Sequence, residues 1–289
     1  MNAFHDKIRA LGLDFTPDMI MASVALYAPL LPGFDEAIVT RDIKYGPDER
    51  NRLDLFGAAK DGGKRPVVVY IHGGGFVQGD KGNAGQPFYN NVGAWAARQG
   101  WLGVTATYRL APANQYPSGV EDMSGIIAWL RANAADHGGD PNKIVLIGQS
   151  AGASHVGSYL ASDQSAAIAK ESLAGAILMS GVYDLVNSVT GHFEHAYYGK
   201  DTSLFEERSA IGGLAKTEVP CLFTLAENDP ENFHRQAALL IGRWVANKGK
   251  WPDFKLLEAN NHISPVHQVG GSEDEVGPLI AWFVEKVTA

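Results

Sequence analysis

The chain has 289 residues, of which 45% are hydrophobic and 19% are charged, a balance typical of a compact globular protein and unlike that of a disordered chain. Its formal net charge of −8, without a block of Lys and Arg, argues against binding to nucleic acid or to an anionic membrane surface. No apolar stretch approaches the roughly 18–20 residues that a membrane helix needs, and the first ten residues show no signal peptide, so we predict a cytoplasmic protein.

Two helices are predicted at the start of the chain, followed by a hairpin of strands. The second helix has Thr16 as its N-cap and Pro17 at its first helical position, and it ends in the segment 29–33. Residues 37–45 and 51–56 alternate between apolar and polar side chains. Such alternation is typical of half-buried strands, here joined by a turn.

Six continuous apolar runs then follow, of the kind that form strands buried on both faces: residues 67–71, 103–107, 144–147, 174–179, 219–225 and 254–257. Helical patterns lie between or after them, over residues 94–99, 120–134, 151–161, 233–247 and 276–287. This alternation predicts a mostly parallel sheet covered by helices, with ligands at the carboxyl ends of the strands. The aromatic and charged segment 183–214 interrupts the alternation, and with the N-terminal helices it is our candidate for a cap.

The pattern G-x-S-x-G occupies residues 148–152, directly after the apolar run 144–147. A buried strand that runs into this turn lifts a serine hydroxyl out of the end of a sheet, with glycines where side chains would collide. We therefore predict Ser150 as a nucleophile. The backbone N–H of Ala151, at the start of the following helix, would point at the group that the serine attacks.

A second glycine motif, His-Gly-Gly-Gly-Phe, spans residues 72–76 after the first strong strand. Consecutive glycines at the end of a strand offer backbone N–H donors to an oxyanion without obstruction by side chains. The alternatives are a flexible loop and a phosphate-binding loop. A phosphate loop would have the pattern G-x-x-x-x-G-K-[ST], which this segment lacks.

The acidic partner of the serine is predicted in the segment 226–231, which follows the apolar run 219–225. A carboxylate just beyond a strand can fix the tautomer of a histidine and stabilise its protonated form. Asp229 is preferred because Pro230 stiffens the turn behind it. Glu227 and Glu231 are the competing carboxylates.

The base is predicted in the loop before the final helix, where His262 follows the last strand. A histidine there can lie between Ser150 and Asp229, and the chain order Ser, Asp, His is that of one known class of triad. His267 is the alternative base.

The other titratable candidates have simpler interpretations. The remaining histidines show no spacing with Cys or carboxylates that indicates a metal site, and we interpret His155 as a packing residue. Cys221 is the single cysteine. Because it lies in the apolar run 219–225, we interpret it as a buried, inert thiol.

These motifs, together with the sequence Tyr-Arg-Leu-Ala-Pro at residues 108–112, resemble the hormone-sensitive-lipase-like branch of the α/β-hydrolases, which includes many microbial carboxylesterases. The resemblance covers residues 40–285. It implies a single α/β-hydrolase domain over residues 1–289, a mostly parallel central sheet flanked by helices, and a helical cap from residues 1–36 and 183–214. It also implies a triad of Ser150, Asp229 and His262 and an oxyanion hole of Gly74, Gly75 and Ala151.

The chain departs from that branch at Gln149, where an acidic residue or histidine is common, and at residues 153–155, where a Gly-Asn run is usual. Residues 79–81, Gly-Asp-Lys, are similar to the arylformamidase-like relatives. An amidase or arylformamidase with the same triad is therefore the alternative function. A non-catalytic binding protein on this scaffold ranks lower, because such proteins usually lack a member of the triad.

We predict a serine carboxylesterase that hydrolyses small to medium acyl esters through an acyl-enzyme intermediate, with no cofactor and no metal. Its partner is a small-molecule ester, and a homodimer is compatible with the sequence. Four aromatic residues are our candidates for binding the substrate: Phe76, Tyr89, Tyr197 and Tyr198. Each of them could equally pack in the core or the cap.

Overall fold

A computed structural model of the protein describes residues 3–57 and 64–289. Its central sheet has eight strands: β1 (Val39–Lys44), β2 (Arg52–Phe56), β3 (Arg65–Ile71), β4 (Leu102–Ala106), β5 (Gly139–Gln149), β6 (Leu173–Met179), β7 (Cys221–Asn228) and β8 (Asp253–Asn261). The strand order is β1-β2-β4-β3-β5-β6-β7-β8. β1 and β2 form the predicted antiparallel hairpin, and β2 is antiparallel to β4. All later neighbours are parallel.

Twelve α-helices connect or flank the strands: α1 (Ala3–Arg9), α2 (Pro17–Tyr27), α3 (Asn90–Arg98), α4 (Ser118–Asn133), α5 (Ala151–Ala161), α6 (Asp163–Ser172), α7 (His192–Tyr198), α8 (Phe205–Arg208), α9 (Ile211–Leu214), α10 (Glu231–Lys248), α11 (Ser264–His267) and α12 (Val276–Thr288), counted over the described residues. Parallel strands need crossovers, and the longer helices supply them. None of the helices in the described ranges is long and apolar enough to span a membrane.

The core consists of two hydrophobic clusters, one on each face of the sheet, and a smaller third cluster. Successive side chains of a strand point to opposite faces. In β3, Val67, Val69 and Ile71 therefore pack in one cluster, whereas Val68 and Tyr70 pack in the other. This use of both faces explains why the strand appears in the sequence as an unbroken apolar run.

The predicted strands and helices are confirmed, with shifts of their ends by up to five residues. Two burial patterns differ from the prediction: β2, which lies between β1 and β4, is almost fully buried rather than half-buried, and β8, at the edge of the sheet, is exposed at residues 255 and 256. The N-cap is also confirmed, because the Thr16 side chain accepts a hydrogen bond from the Met19 N–H at 3.2 Å. The four-residue α11 lies in a segment predicted as a loop, and helix α6 is absent from the prediction. Its buried positions are Ser165, Ala169 and Ser172, so it has no stripe of large apolar residues by which a sequence pattern could reveal it.

Both predicted cap segments are largely helical in the structure. Within the N-terminal segment 1–36, of which residues 1 and 2 lie outside the described residues, α1 packs against β8 and α2 packs against α11. The segment 183–214 contains α7, α8 and α9.

Cys221, at the start of β7, is buried as expected, and burial raises the pKa of its thiol to about 12.

Candidate active site

Ser150 lies in the sharp turn between β5 and α5. Its backbone has φ +55° and ψ −120°, a strained conformation for a residue with a side chain. The two flanking glycines are required by close backbone approach. A Cβ atom on Gly148 would lie 2.5 Å from the Gly152 carbonyl oxygen, and one on Gly152 would lie 2.2 Å from the Ile71 carbonyl oxygen. The G-x-S-x-G pattern thus presses the turn against β3 and exposes the serine hydroxyl.

The structure brings Ser150, His262 and Asp229 into one hydrogen-bonded chain. His262 Nε2 lies 2.8 Å from Ser150 Oγ, and His262 Nδ1 lies 2.5 Å from Asp229 Oδ1. Ser150 directly follows β5, Asp229 directly follows β7, and His262 directly follows β8. Since parallel strands end at one edge of the sheet, residues far apart in sequence meet there. The geometry allows the imidazole to take the serine proton while the carboxylate stabilises the resulting imidazolium.

The Asp229 carboxylate is fully buried, with 0% exposure, and its second oxygen is also satisfied. Asp229 Oδ2 accepts hydrogen bonds from the Ser180 hydroxyl at 2.6 Å and from the Ala226 N–H at 2.7 Å. Such donors satisfy the hydrogen-bonding capacity of a buried carboxylate oxygen. They also orient Oδ1 toward the ring of His262. The sequence alone does not indicate that Ser180 is a partner of Asp229. The one signal is its position directly after β6, which places it at the same edge of the sheet.

The competing acids and base are occupied elsewhere. Glu227 accepts a hydrogen bond from a backbone N–H of β8, and Glu231 pairs with an arginine one turn further along α10. His267 is buried and stacks on the Phe88 ring at a centroid distance of 4.0 Å. Burial lowers its pKa to about 3. The structure therefore places Asp229 next to His262 and leaves the alternatives outside the hydrogen-bonded chain.

The glycine loop after β3 approaches Ser150 through its backbone. Gly74 and Gly75 have φ +122° and +59°, and Cβ atoms there would lie 2.1 Å from the Gln78 carbonyl oxygen and 2.7 Å from the Phe193 ring. Gly74, Gly75 and Ala151 all line the cavity above the serine. Within residues 3–57 and 64–289, none of their N–H groups donates a hydrogen bond to a loop acceptor. These donors can therefore point at a ligand.

The Tyr-Arg-Leu-Ala-Pro segment supports this glycine loop. The Tyr108 hydroxyl donates a hydrogen bond to the His72 carbonyl at 2.9 Å, and the ring stacks on the His72 imidazole at 4.3 Å. The Ala111 N–H donates to the Phe76 carbonyl at 2.9 Å. The segment thus fixes both ends of the glycine loop, a role that the sequence motif alone does not reveal.

A cavity of about 520 Å³ opens above Ser150, a volume in the range of small-molecule sites. Its wall is mostly apolar and aromatic, and includes Phe15, Ile20, Phe76, Tyr89, Val182, Val189, Phe193, Phe233 and Ile263. In the part of the wall that the structure describes there is no Lys or Arg, and Glu194 is the one carboxylate. The site therefore suits a neutral, apolar ligand better than an anion.

Two of the four aromatic residues predicted to bind the substrate lie elsewhere. Phe76 and Tyr89 line the cavity, but Tyr197 and Tyr198 are buried in a cluster behind Phe76. The Tyr197 ring stacks on Phe76 at 4.8 Å, and its hydroxyl accepts a hydrogen bond from the Gly119 N–H. These two tyrosines therefore have the packing role that the sequence left open rather than a place in the cavity wall. α7 turns its first residues, including Phe193, toward the cavity and its last turn toward the core.

Two further rings lie at the site without a signal in the sequence. Phe15, in the loop between α1 and α2, and Phe233, on α10, each contact the imidazole of His262. The sequence predicts Phe233 only as part of a helix, and Phe15 lies outside any predicted element. Elsewhere, the described residues contain no group of three or more His, Cys, Asp or Glu side chains that could hold a metal ion.

Comparison with known proteins places this geometry in context. The BD-FAE family matches residues 53–241. Esterase LipQ of Mycobacterium tuberculosis is 32% identical over 227 residues, which cover 71% of this chain and 53% of LipQ. Isoprenylcysteine alpha-carbonyl methylesterase ICME of Arabidopsis thaliana is 34% identical over 155 residues, which cover 50% of this chain and 35% of ICME. The chain thus spans about half, or less, of the length of these relatives.

Solved structures resemble the whole chain. Esterase B of Lactobacillus rhamnosis has a TM-score of 0.73 at 20% identity, and the match covers 99% of this chain and 95% of the esterase chain. An esterase of Pyrobaculum calidifontis has a TM-score of 0.73 at 21% identity, and the match covers 100% of this chain and 99% of the esterase chain. At this level of identity the likeness shows the fold, which is the one predicted from the sequence.

Proposed function

The chain belongs to the BD-FAE family of α/β-hydrolases, and on that basis we propose that it is a serine carboxylesterase for small to medium acyl esters. The observation that carries the proposal is the hydrogen-bonded chain Ser150–His262–Asp229 at the base of an apolar cavity. The names of the relatives support it, since LipQ is an esterase and ICME a methylesterase. A solved structure of esterase B is described with a tributyrin phosphonate, an analogue of an ester.

In the first half of the proposed reaction, Ser150 Oγ attacks the ester carbonyl while His262 Nε2 takes the hydroxyl proton. Asp229 stabilises the imidazolium that forms. The negative charge on the carbonyl oxygen is stabilised by the N–H groups of Gly74, Gly75 and Ala151. The imidazolium then gives its proton to the alcohol oxygen, the C–O bond breaks, and the acyl group remains on the serine.

In the second half, water repeats these steps on the acyl-enzyme. His262 takes a proton from the water as its oxygen attacks the acyl carbon, and the proton then returns to the departing Ser150 Oγ. The products are the carboxylic acid and the free enzyme. All proton transfers use side chains already in the site, so the proposed reaction has no step that requires a cofactor or metal.

We further propose that residues 1–36 and 183–214 form the cap of a single domain over residues 1–289. Both segments contribute to the wall of the cavity, the first through Phe15 and Ile20 and the second through Val189 and Phe193. The proposed cap would therefore limit the size of the substrate. A cytoplasmic location and a homodimer stay predictions from the sequence.

The assay that tests the proposed function compares wild type with Ser150→Ala on p-nitrophenyl butyrate. The variant should lose about 10⁴-fold or more in kcat, leaving only the catalysis that the oxyanion donors and binding supply. Its thermal melt should match wild type, because Ser150 lines the cavity rather than the core. Ser124→Ala, on α4 and away from the cavity, is the control that keeps full activity.

Activity of Ser150→Ala within tenfold of wild type would exclude this nucleophile. The amidase or arylformamidase alternative uses the same triad, so the substrate distinguishes it. An amide nitrogen must be protonated as the tetrahedral intermediate breaks down, which demands tighter geometry than a phenoxide leaving group does. A matched anilide hydrolysed faster than the ester would therefore favour the amidase.

A further inference from the structure

Two phenylalanine rings contact the imidazole of His262. The Phe233 ring stacks on it at a centroid distance of 4.2 Å and an interplanar angle of 30°. The Phe15 ring meets it edge-on at 5.0 Å and 85°. Both phenylalanines line the cavity, and Phe15 is 44% exposed. A large apolar ring so exposed beside a catalytic group has surface available for a ligand.

The chemistry of acyl transfer determines which part of a substrate lies beside these rings. The carbonyl oxygen must point at Gly74, Gly75 and Ala151, and the carbonyl carbon must lie at Ser150. The alcohol oxygen must come within hydrogen-bond distance of His262 Nε2, because it receives its proton there. A group that flanks the imidazole therefore borders the alcohol part of the ester rather than the acyl chain.

Another exposed ring of the cavity wall, that of Phe193, lies beside a different part of the site. The Phe193 ring occupies the space beside Gly75, where it would collide with a Cβ atom at 2.7 Å. It therefore borders the oxyanion loop and not the base. This separation assigns different parts of the substrate to different rings: Phe193 to the carbonyl side, and Phe15 and Phe233 to the alcohol side.

We infer that Phe15 and Phe233 form an alcohol-binding subsite that selects esters of neutral aromatic or bulky apolar alcohols. The inference rests on the proposed esterase function and deepens it by naming the leaving group. An aromatic alcohol would cover the exposed Phe15 ring and stack against apolar surface, which is favourable. A small alcohol such as methanol would leave that ring in water. An anionic alcohol would meet no Lys or Arg in the described wall of the cavity.

The experiment compares kcat/KM for benzyl butyrate and methyl butyrate. The two esters give the same acyl-enzyme, and their alcohols are similar in acidity, so the ratio reports recognition of the alcohol. Wild type should favour the benzyl ester by about tenfold or more, the discrimination typical of an apolar contact of this size. Phe15→Ala should reduce that ratio about fivefold, mainly through KM, and Phe15→Leu should fall between the two.

Two controls separate this subsite from general damage. Met21→Ala, on α2 and 62% exposed, removes an exposed apolar side chain outside the cavity wall and should leave the ratio unchanged. The ratio of methyl butyrate to methyl acetate reports the acyl side and should not change in Phe15→Ala. A change in this acyl ratio, or an equal loss of activity on methyl and benzyl esters, would overturn the assignment of Phe15.

The inference and the proposed function fail in different ways. Wild type that hydrolyses p-nitrophenyl butyrate through Ser150 but favours methyl over benzyl butyrate would refute the subsite and leave the esterase intact. Wild type that hydrolyses none of these esters would refute the esterase, and the subsite with it.

Discussion

Three buried histidines should make the protein lose stability as the pH falls below about 6.5. His72, His155 and His267 are all buried, and burial lowers the pKa of each to about 3. Both ring nitrogens of His155 lack a hydrogen-bond partner among the described residues. Its surroundings are the rings of Phe76, Tyr108 and Tyr197, at centroid distances of 5.3, 4.4 and 4.9 Å. Such a site favours the neutral imidazole.

The sign and size follow from proton linkage. Between pH 6.5 and about 3 the unfolded chain binds a proton at each histidine and the folded chain does not, so the free energy of unfolding falls as the pH falls. The contribution of one histidine is fully present above pH 6.5 and declines by about 2 kcal/mol by about pH 5. Three histidines together lose about 6 kcal/mol, a large part of the 5–15 kcal/mol typical of a whole protein.

The variant His155→Leu isolates one of these contributions. The buried carboxyls of Asp122 and Asp274, whose pKa values burial raises, change stability in the opposite direction, so wild type reports only a net slope. The difference between variant and wild type cancels them. Urea unfolding followed by tryptophan fluorescence at about pH 8 and about pH 5 should show about 2 kcal/mol less acid destabilisation in the variant.

The comparison uses the change with pH, so it does not depend on the packing that His155→Leu loses at every pH. The control His234→Leu removes an exposed histidine of α10 and should leave the pH dependence as in wild type. An identical pH dependence in His155→Leu and wild type would show that His155 is not a buried neutral group.

The remaining predictions concern the triad and the glycine loop. Asp229→Asn should lower kcat on p-nitrophenyl butyrate by about 10³–10⁴-fold, because an amide misorients His262 and does not stabilise its charge. Ser180→Ala removes one of the hydrogen bonds to that carboxylate and should lower kcat about tenfold. Glu231 is exposed, so Glu231→Gln should keep a kcat near that of wild type. A larger loss in Glu231→Gln than in Asp229→Asn would reverse the assignment of the acid. Gly75→Ala places a methyl group against the Phe193 ring and should cost about 10²–10³-fold in kcat by displacing an oxyanion donor; unchanged kinetics would remove this loop from the site.

The fold is predictable from the sequence because its central strands are buried on both faces. In a chain of this composition, an unbroken apolar run such as residues 67–71 indicates a strand covered by helices on both sides. Helix α5 is predicted with its observed bounds, since the turn at Ser150 fixes its start. Helix α6 is missed because its buried face consists of Ser and Ala. A periodic sequence pattern indicates a helix that buries large apolar side chains. It does not indicate a helix that packs closely through small ones.

The positions of the candidate triad are also predictable, because each residue follows a strand and the strands end at one edge. The groups that hold the triad are not. Ser180 contacts Asp229 across 49 positions of sequence, and Phe15 meets His262 only through the packing of the N-terminal helices. Likewise, the sequence does not indicate whether Tyr197 and Tyr198 on α7 face the cavity or the core. Contacts of this kind depend on tertiary geometry, which leaves no local pattern.

Gln149 illustrates how an unusual residue in a motif can acquire a reason from its contacts. Its side-chain Nε2 donates a hydrogen bond to the backbone carbonyl of His262 at 2.8 Å, so the residue before Ser150 holds the loop that carries His262. Its Oε1 faces the glycine loop, where a Cβ atom on Gly73 would lie 2.4 Å away. An acidic residue, which is common at this position in the related branch, has no N–H to offer that carbonyl, and two acceptors would then face each other. An amide satisfies this arrangement, and the loops of the proposed nucleophile, base and oxyanion donors therefore meet at one side chain.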